Sequence, residues 1–255
     1  MTTLVFHHGA LGDSVLLWPM LRALGPTMLI ASRDRSKLAA HWLDNVTAAD
    51  ADLPDFVRLH VPMAVHEISD ALIELILGCR RVISFVSDGD DAWSRTMESM
   101  AIQAEVHYLR ARPNEDNPRE PIAFFHQRQL AAMGMGYEPI DPPPRENRDG
   151  PVVIHPGSGG RAKCWPLARW EALIDHCQAI GRPVEVLIGE TQREWWSPDD
   201  LGRWLARYDV HEPRDLIDLS HGVSRASVYV GHDSGPTHLA GQLGVTTVAL
   251  FGPTD

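Results

Sequence analysis

The sequence has no long apolar run, and this absence sets the first limit on what the chain does. None of its apolar segments approaches the roughly 18 residues of a membrane-spanning helix. The chain opens with a strand-like run, Thr3–His7, and has no basic start or small-residue cleavage site typical of a secretory signal. We therefore expect a cytoplasmic protein without an integral membrane segment.

Cysteine and positive charge are also scarce. The 3 cysteines have no C-x-x-C spacing and cannot all pair, which favours a reducing compartment. The formal net charge is -11, whereas a protein that neutralises nucleic-acid phosphates needs a basic face. We therefore expect no nucleic-acid partner. A small anionic ligand stays compatible with this composition, because a few local basic groups can hold it.

Short apolar runs alternate with helix-like segments along the whole chain. Strands separated by single helices are typical of βαβ units and parallel sheets. The predicted strands are Leu4–His7, Met28–Ala31, Phe56–His60, Val82–Val86, Val106–Leu109, Val152–His155, Val184–Ile188, Tyr208–His211, Val228–Val230 and Thr247–Leu250. The predicted helices include Ser14–Leu24, Ser36–Leu43, His66–Leu77, Ala168–Ile180 and Leu201–Arg207. This pattern predicts an α/β fold of two Rossmann-like domains whose parallel sheets face each other across a cleft.

A proline-rich segment divides the chain. Residues 138–150 contain three consecutive prolines followed by a polar run, and such a composition neither continues a helix nor joins a sheet. We predict a stiff linker here, between a domain over residues 1–140 and another over residues 151–255. A second proline-rich stretch, Arg112–Pro121, is predicted to be a loop within the first domain.

The first candidate site follows the first predicted strand. Gly9 and Gly12 allow a tight turn there, and Asp13 stands where a helix begins. Ligands of α/β proteins bind beyond the carboxyl ends of parallel strands, but the glycine spacing is not the G-x-G-x-x-G of a dinucleotide site. Aspartate is also a preferred residue at helix starts, so the local pattern alone favours a capping role for Asp13 over a catalytic one.

The second candidate site is the glycine-rich loop after the strand Val152–His155. This loop contains Ser158, Gly159, Arg161 and Lys163. Glycines let backbone amides approach an anion closely, and the two basic residues supply positive charge. The loop is not a Walker A motif, because no G-K-[ST] follows the glycines. The order of strand, loop and helix favours phosphate binding over a merely solvated basic loop.

The third candidate site is the most informative segment, a strand, turn and helix over residues 229–240. Its turn and first helical turn contain Asp233, Ser234, Gly235, Thr237 and His238. Pro236 suits the first helical position, where its missing N–H costs nothing, and Ser234 or Gly235 can act as the cap. Free N–H groups and a partial positive charge make a helix start an anion site. Taken alone, a capped turn with a hydrogen-bonded histidine is an equally good interpretation.

A fourth and weaker candidate is Glu190, in the polar turn after the strand Val184–Ile188. It could accept hydrogen bonds from ribose or sugar hydroxyls, although an acidic residue is also ordinary at a helix start. The sequence patterns of two other kinds of site are absent. No G-x-S-x-G is present at the second or third site, which weakens a serine hydrolase, and His7, His8 and His232 have no metal-ligand spacing. We therefore expect no metal.

Three segments together resemble glycosyltransferase family 9, the ADP-heptose:lipopolysaccharide heptosyltransferases and their relatives. They are G-A-L-G-D-S-V-L at residues 9–16, H-P-G-S-G-G-R-A-K-C-W-P at residues 155–166, and H-D-S-G-P-T-H-L-A at residues 232–240 with F-G-P-T-D at residues 251–255. The resemblance covers both halves in the right order. It implies the GT-B fold, an acceptor bound mainly by the first domain, a nucleotide-sugar bound by the second, and transfer without metal or other cofactor.

The resemblance also implies roles for individual residues. Asp13 corresponds to the family's proposed general base, and Lys163 to the lysine that meets the donor diphosphate. Asp233–Gly235 and His238 match the stretch that lines the sugar and phosphates, and the acidic ribose contact falls near Glu190. We therefore expect an inverting transferase that moves a sugar, heptose first among the candidates, from an ADP-activated donor to a glycan or lipopolysaccharide-type acceptor. A glycolipid acceptor would bring the first domain to the inner face of the membrane.

Two features depart from the family pattern. The sequence stops at Asp255 whereas relatives continue with a C-terminal helix, so we expect the second domain to be without that tail. The acidic first domain has no obvious basic patch for a phosphorylated lipid. Two alternatives therefore stay open: a non-catalytic or degenerate nucleotide-sugar-binding protein of the same fold, and an epimerase or hydrolase of nucleotide-sugars.

Overall fold

The chain divides into two compact units, Met1–Asp141 and Pro142–Asp255. The structure is a computed structural model that describes residues 2–61, 68–100, 103–113, 120–145 and 147–252. Each unit is built around a parallel sheet of 5 strands. The prediction of an α/β fold with two Rossmann-like parallel sheets is therefore confirmed.

The first unit alternates strands and helices from its first described residue. Its strands are β1 (Thr2–Phe6), β2 (Thr27–Ala31), β3 (Val46–Asp50), β4 (Cys79–Ser84) and β5 (Glu105–Tyr108). Its helices are α1 (Leu11–Val15), α2 (Trp18–Ala23), α3 (Arg33–Trp42), α4 (Pro54–Arg58), α5 (Asp70–Leu77), α6 (Ala92–Ser99) and α7 (Ile122–Ala132). The strand order across the sheet is β3-β2-β1-β4-β5.

The second unit repeats this plan. Its strands are β6 (Val152–His155), β7 (Val184–Leu187), β8 (Val210–His211), β9 (Val228–His232) and β10 (Thr247–Leu250). Its helices are α8 (Leu167–Ala179), α9 (Glu190–Trp195), α10 (Pro198–Arg207), α11 (Leu216–Ser224) and α12 (Gly235–Gln242), with a short 3-10 helix at Arg161–Lys163. The strand order, β10-β9-β6-β7-β8, is the same winding seen from the other edge.

Both sheets reverse their winding beside their first strand. In the first sheet β1 pairs with both β2 and β4, and in the second sheet β6 pairs with both β7 and β9. In open α/β sheets the crevice at such a reversal, beyond the carboxyl ends of the strands, is where ligands bind. Each unit therefore has a crevice of this kind, which lies after β1 and β4 in the first unit and after β6 and β9 in the second.

The apolar residues of the central strands build the two cores. Leu4 and Val82, on adjacent strands of the first sheet, are fully buried, as are Ile154 and Val186 in the second. Parallel strands covered by helices on both faces lose nearly all contact with water, which is why these strands are recognisable as short apolar runs. The largest fully buried side chains include Trp18, Trp93, Trp170 and Trp204. Half of the 8 tryptophans are therefore explained by core packing.

One strand prediction in the first unit was wrong, and one strand was missed. Residues 56–60 begin inside helix α4, because Pro54 starts a helix there and the buried Phe56 and Leu59 are spaced three apart, as on one helical face. The true third strand is β3, which the apolar pattern missed because only Val46 of its five residues is buried. It is an edge strand that pairs with β2 alone.

Other predictions differ in their limits. The predicted helix Ser14–Leu24 is two short helices, α1 and α2, and the helix predicted from His66 begins at Asp70. Residues 66–67, most of the proline-rich stretch Arg112–Pro121 and the final residues 253–255 lie outside the described residues. No helix in the described ranges has the length and apolar character needed to cross a membrane.

Candidate active site

A cavity of about 870 Å³ opens at the winding reversal of the first sheet. Its lining comes from the segments that follow β1, β4 and β5, and includes His8, Asp13, Asp88, Asp91, Tyr108 and Arg112. Asp91 also has a structural task, since its Oδ1 accepts hydrogen bonds from the Ser94 N–H (2.9 Å) and the Ser87 hydroxyl (2.8 Å). Because Asp13 is one of the lining residues, this predicted site residue lies in a cavity large enough for a small saccharide.

Asp13 is the third residue of α1, and its carboxylate is held from two sides. The Ala10 N–H donates to Oδ2 at 3.3 Å, which is the reach-back contact of a helix start. The guanidinium of Arg112 donates from Nε to Oδ1 (3.0 Å) and from Nη2 to both oxygens (2.7 and 2.9 Å). The local pattern predicted the helix-start role, and the structure adds a bidentate ion pair to it.

His7 lies directly beneath this turn. It is 1% exposed, and neither ring nitrogen has a hydrogen-bond partner among the described residues. Burial lowers the pKa of His7 to about 4, outweighing the opposite effect of the nearby Asp13 carboxylate. A Cβ at Gly9 would come 2.7 Å from the His7 ring and 3.0 Å from the Asp13 side chain. Close packing between the neutral histidine and the acid, rather than a special backbone angle, therefore requires glycine at position 9.

The second and third predicted sites come together at the winding reversal of the second sheet. Lys163 Nζ donates to Asp233 Oδ2 at 3.2 Å, and His238 Nε2 lies 3.3 Å from Asp233 Oδ1. The three side chains are between a quarter and a third exposed. The Ser158 hydroxyl donates to the Asp233 carbonyl at 3.1 Å and ties the glycine-rich loop to the turn after β9. Four residues predicted from separate motifs thus form one contiguous cluster.

Helix α12 begins at this cluster. Ser234 is its N-cap residue, as predicted, but its side chain makes no capping hydrogen bond. Instead its hydroxyl lies 3.4 Å from that of Thr237, whose Oγ1 donates to the His232 carbonyl at the end of β9. Gly235 is the first helical residue and Pro236 the second. Pro236 has no N–H, and the N–H groups of Thr237 and His238 donate to the Ser234 carbonyl at 3.1 and 3.2 Å. The helix start therefore offers an anion the Gly235 N–H and its partial positive charge, near the Lys163 ammonium.

The glycine-rich loop is held in place by its neighbours. The Trp165 N–H donates to Nε2 of His232 at 3.0 Å, so this histidine nitrogen accepts a backbone hydrogen bond. Gln192 lies on the other side, 2% exposed, with Oε1 accepting from the Gly189 N–H at 2.7 Å. Its Nε2 fills the space where a Cβ of Gly157 would stand, 1.4 Å from that position. The loop conformation therefore depends on the pair of Gly157 and Gln192.

Three predicted donor-site residues lie at the edge of this cluster. Gly159 is exposed next to the buried Ser158. Arg161 is also exposed, and its guanidinium carbon lies 5.2 Å from the centre of the Trp195 ring. Glu190 is exposed at the first residue of α9. The structure thus joins Ser158, Lys163, Asp233 and His238 by direct contacts and leaves these three on the surface around them.

Two residues of the sites were missed by the sequence interpretation. Gln192 is the third residue of a helix that follows a glycine, a position from which side chains reach back to the preceding turn. Arg112 follows a strand that reaches the same sheet edge as Asp13, and a charged residue there was a usable signal. Among the described residues, no three histidine, cysteine, aspartate or glutamate side chains are grouped as metal ligands would be.

Comparison with solved structures defines the class of protein. A glycosyl transferase family 9 protein from Veillonella parvula DSM 2008 superposes with a TM-score of 0.66 at 16% identity, covering 100% of this chain and 82% of that one. E. coli heptosyltransferase WaaC with ADP gives a TM-score of 0.63 at 15% identity, covering 100% and 88%. The fold is therefore that of the GT-B glycosyltransferases.

Sequence comparison gives the family. The model of glycosyltransferase family 9 (heptosyltransferase) matches residues 123–255, more than half of the chain. The chain belongs to this family, as the three motifs predicted. A curated relative, lipopolysaccharide heptosyltransferase 3 of Escherichia coli, is 27% identical over 107 residues. That match covers 41% of this chain but spans only 32% of the length of the relative.

Proposed function

We propose that the chain is an inverting, metal-independent glycosyltransferase. It would move a sugar, heptose first among the candidates, from an ADP-activated donor to a glycan or lipopolysaccharide-type acceptor. Membership of the heptosyltransferase family supports the reaction type. The names of two similar proteins support the two substrates, since one is a lipopolysaccharide heptosyltransferase and the other was solved with ADP.

The observation that carries the proposal is the cluster of Lys163, Asp233 and His238 at the start of α12. An ammonium group and a helix start side by side suit a diphosphate, whose charge grows as the sugar leaves. The Asp233 carboxylate lies 3.2 Å from the Lys163 ammonium group, and a bound diphosphate would compete for that group. His238 and Ser158 complete the cluster through their own contacts with Asp233.

The proposed reaction is a direct displacement at the anomeric carbon of the donor. An acceptor hydroxyl forms a bond to the anomeric carbon from the face opposite the nucleotide, and gives its proton to Asp13. The bond between that carbon and the diphosphate oxygen breaks, and ADP leaves with the electron pair. General-base assistance of this kind contributes roughly 10²- to 10⁴-fold to the rate. The cavity around Asp13 supports an acceptor role for the first unit.

The first experiment is a calorimetric titration of the purified chain with ADP, UDP, GDP and ADP-heptose. Saturable binding of ADP or ADP-heptose is the expected result, and Lys163→Ala should weaken it. The chain has one other lysine, Lys37, which lies exposed in α3. Lys37→Ala is therefore the matched control and should bind ADP like the wild type. Equal loss in both variants would contradict the assignment of the donor site.

A transfer assay then separates catalysis from binding. Asp13→Asn should abolish transfer while ADP affinity stays within about twofold, because the general base acts on the acceptor. The matched control is Asp50→Asn, since Asp50 is also a mostly buried carboxylate paired with an arginine. If the wild type binds the donor but transfers no sugar, the result would favour a non-catalytic nucleotide-sugar-binding protein. Sugar release without an acceptor would indicate a hydrolase.

A further inference from the structure

The carboxylate of Asp13 is fully occupied by hydrogen-bond donors. Oδ1 accepts from Arg112 Nε (3.0 Å) and Nη2 (2.7 Å), and Oδ2 accepts from Arg112 Nη2 (2.9 Å) and the Ala10 N–H (3.3 Å). An ionised carboxylate offers about four lone-pair positions. All of them are therefore used, three by a single guanidinium, and a substrate hydroxyl could reach Asp13 only by replacing one of these contacts.

Stability does not explain this ion pair. The Arg112 side chain is 71% exposed and that of Asp13 is 19% exposed. Exposed ion pairs contribute little to folding, because water screens them and the long side chain loses freedom. What the planar guanidinium does supply is direction, since its paired N–H groups fix the plane of the carboxylate. The pair also joins two segments 99 residues apart that line the same cavity.

Resting on the proposed function, we propose that Arg112 is the positioning residue of the general base. It holds Asp13 through Oδ1, which takes two of the three guanidinium contacts. Oδ2 is the oxygen that takes the proton from the acceptor hydroxyl. Its contact with the Ala10 N–H is the longest of the four, and the acceptor hydroxyl replaces this N–H at Oδ2. Arg112 itself need not touch the substrate.

The test compares Arg112→Ala, Arg112→Lys and the wild type in transfer assays. Arg112→Ala should lower kcat by about 100-fold, the cost of a misplaced catalytic group, while the KM for the donor and the affinity for ADP stay unchanged. A general loss of structure would instead weaken binding and catalysis together. Arg112→Lys should restore only part of kcat, since an ammonium lacks the fork.

The chain contains a close match for a control. Arg33 and Asp50 form a similar pair in the same unit, at 3.0 Å, with side chains 66% and 17% exposed, and neither is among the residues that line the cavity. Arg33→Ala should leave both kcat and KM unchanged. If Arg112→Ala behaves like Arg33→Ala, or loses only thermal stability, the positioning role is wrong.

A second measurement decides the inference even if the wild type transfers no sugar, an outcome that would overturn the proposed function by itself. The ¹³Cγ signal of Asp13, assigned by its disappearance in Asp13→Asn, is compared at one pH in the labelled proteins. A chemical-shift change in Arg112→Ala that is absent from Arg33→Ala supports the contact between the guanidinium and the carboxylate. Coincident signals in all three proteins overturn it.

Discussion

The charged residues at both sites are already paired with opposite charges inside their own units. Asp13 is bound by Arg112, and Lys163 by Asp233. Because each pair is at least partly exposed, exchanging its partner for a substrate group costs far less than breaking a buried pair. These pairs keep the side chains oriented while leaving them available to a ligand. At the scale of single residues, the sites are therefore preorganised rather than blocked.

The contact of Gly157 with Gln192 gives a prediction at this scale. Gly157→Ala should destabilise the second unit by about 1–3 kcal/mol and weaken ADP binding, because the new methyl would overlap the Gln192 amide. Gln192 cannot swing aside without giving up its bond to the Gly189 N–H. Chemical denaturation and calorimetric titration measure the two effects.

A second substitution makes this prediction specific. The double variant of Gly157→Ala with Gln192→Ala should be more stable than the sum of the single effects implies, since the smaller side chain leaves room for the methyl. Gly159→Ala, in the same loop, is the control for stability, because a Cβ there meets nothing within 4 Å. Strictly additive losses would show that the two residues do not depend on each other.

At the scale of elements, identical winding in the two sheets explains why both sites lie where they do. The loops after β1 and β4 meet at one reversal, and those after β6 and β9 meet at the other. Parallel strands end at the same sheet edge, so motifs far apart in sequence become neighbours there. The glycines then let the backbone turn tightly enough for a helix to begin at the edge.

Thr237 provides a test of how α12 is attached to β9. Its hydroxyl is buried and donates to the His232 carbonyl, so Thr237→Val should leave that carbonyl without its partner. We expect a loss of about 1–3 kcal/mol in unfolding free energy and weaker ADP binding. Thr47→Val is the control, because Thr47 also donates to a carbonyl but is exposed, so water can replace the bond. Equal losses in both would contradict the interpretation.

At the scale of the whole molecule, charge is distributed unevenly. The net charge is -11, yet each site places a cation against a carboxylate, so local positive groups persist within an acidic protein. The acidic background would repel a polyanion at long range, whereas a small anion responds mainly to the groups beside it. This balance agrees with a nucleotide-sugar as ligand.

Buried histidines make the stability of the molecule depend on pH. Burial lowers the pKa of His7, His126 and His155 from 6.5 to about 4. Between these values the unfolded chain binds protons that the folded chain does not, so stability falls as pH falls. Each histidine should lower the unfolding free energy by roughly 1.4 kcal/mol per pH unit within that window. Urea denaturation at pH 6.5, 6.0, 5.5 and 5.0 measures the slope.

A substitution assigns part of this slope to one side chain. His155→Asn, which cannot take up the proton, should reduce the slope for the second unit by roughly 1.4 kcal/mol per pH unit, whatever it does to stability at pH 7. The first unit keeps His7 and His126 and should be unaffected. An unchanged slope in the second unit would contradict the prediction.

Local patterns in the sequence determined the architecture and the positions of the sites. Strands such as β1 and β6 are buried on both faces, so they appear as apolar runs, and the loops after them contain the glycines and polar residues that the sheet edge needs. Asp13, Lys163, Asp233 and His238 were all selected as candidate site residues in this way. The sequence patterns missed the edge strand β3, because few of its residues are buried. They also mistook α4 for a strand, because a short apolar run is compatible with both helical and strand periodicity.

The tertiary structure alone decided which side chains meet. The position of Arg112 after β5 indicates the sheet edge that it reaches, but only the structure shows that its guanidinium binds Asp13, 99 residues away. In the same way, only the structure shows that Gln192 fills the space beside Gly157. Strand order sets both contacts, and it depends on the long-range pairing of β1 with β4 and of β6 with β7. Such pairing depends on the free energy of the whole sheet rather than of any segment, so local sequence determines the site residues but not their partners.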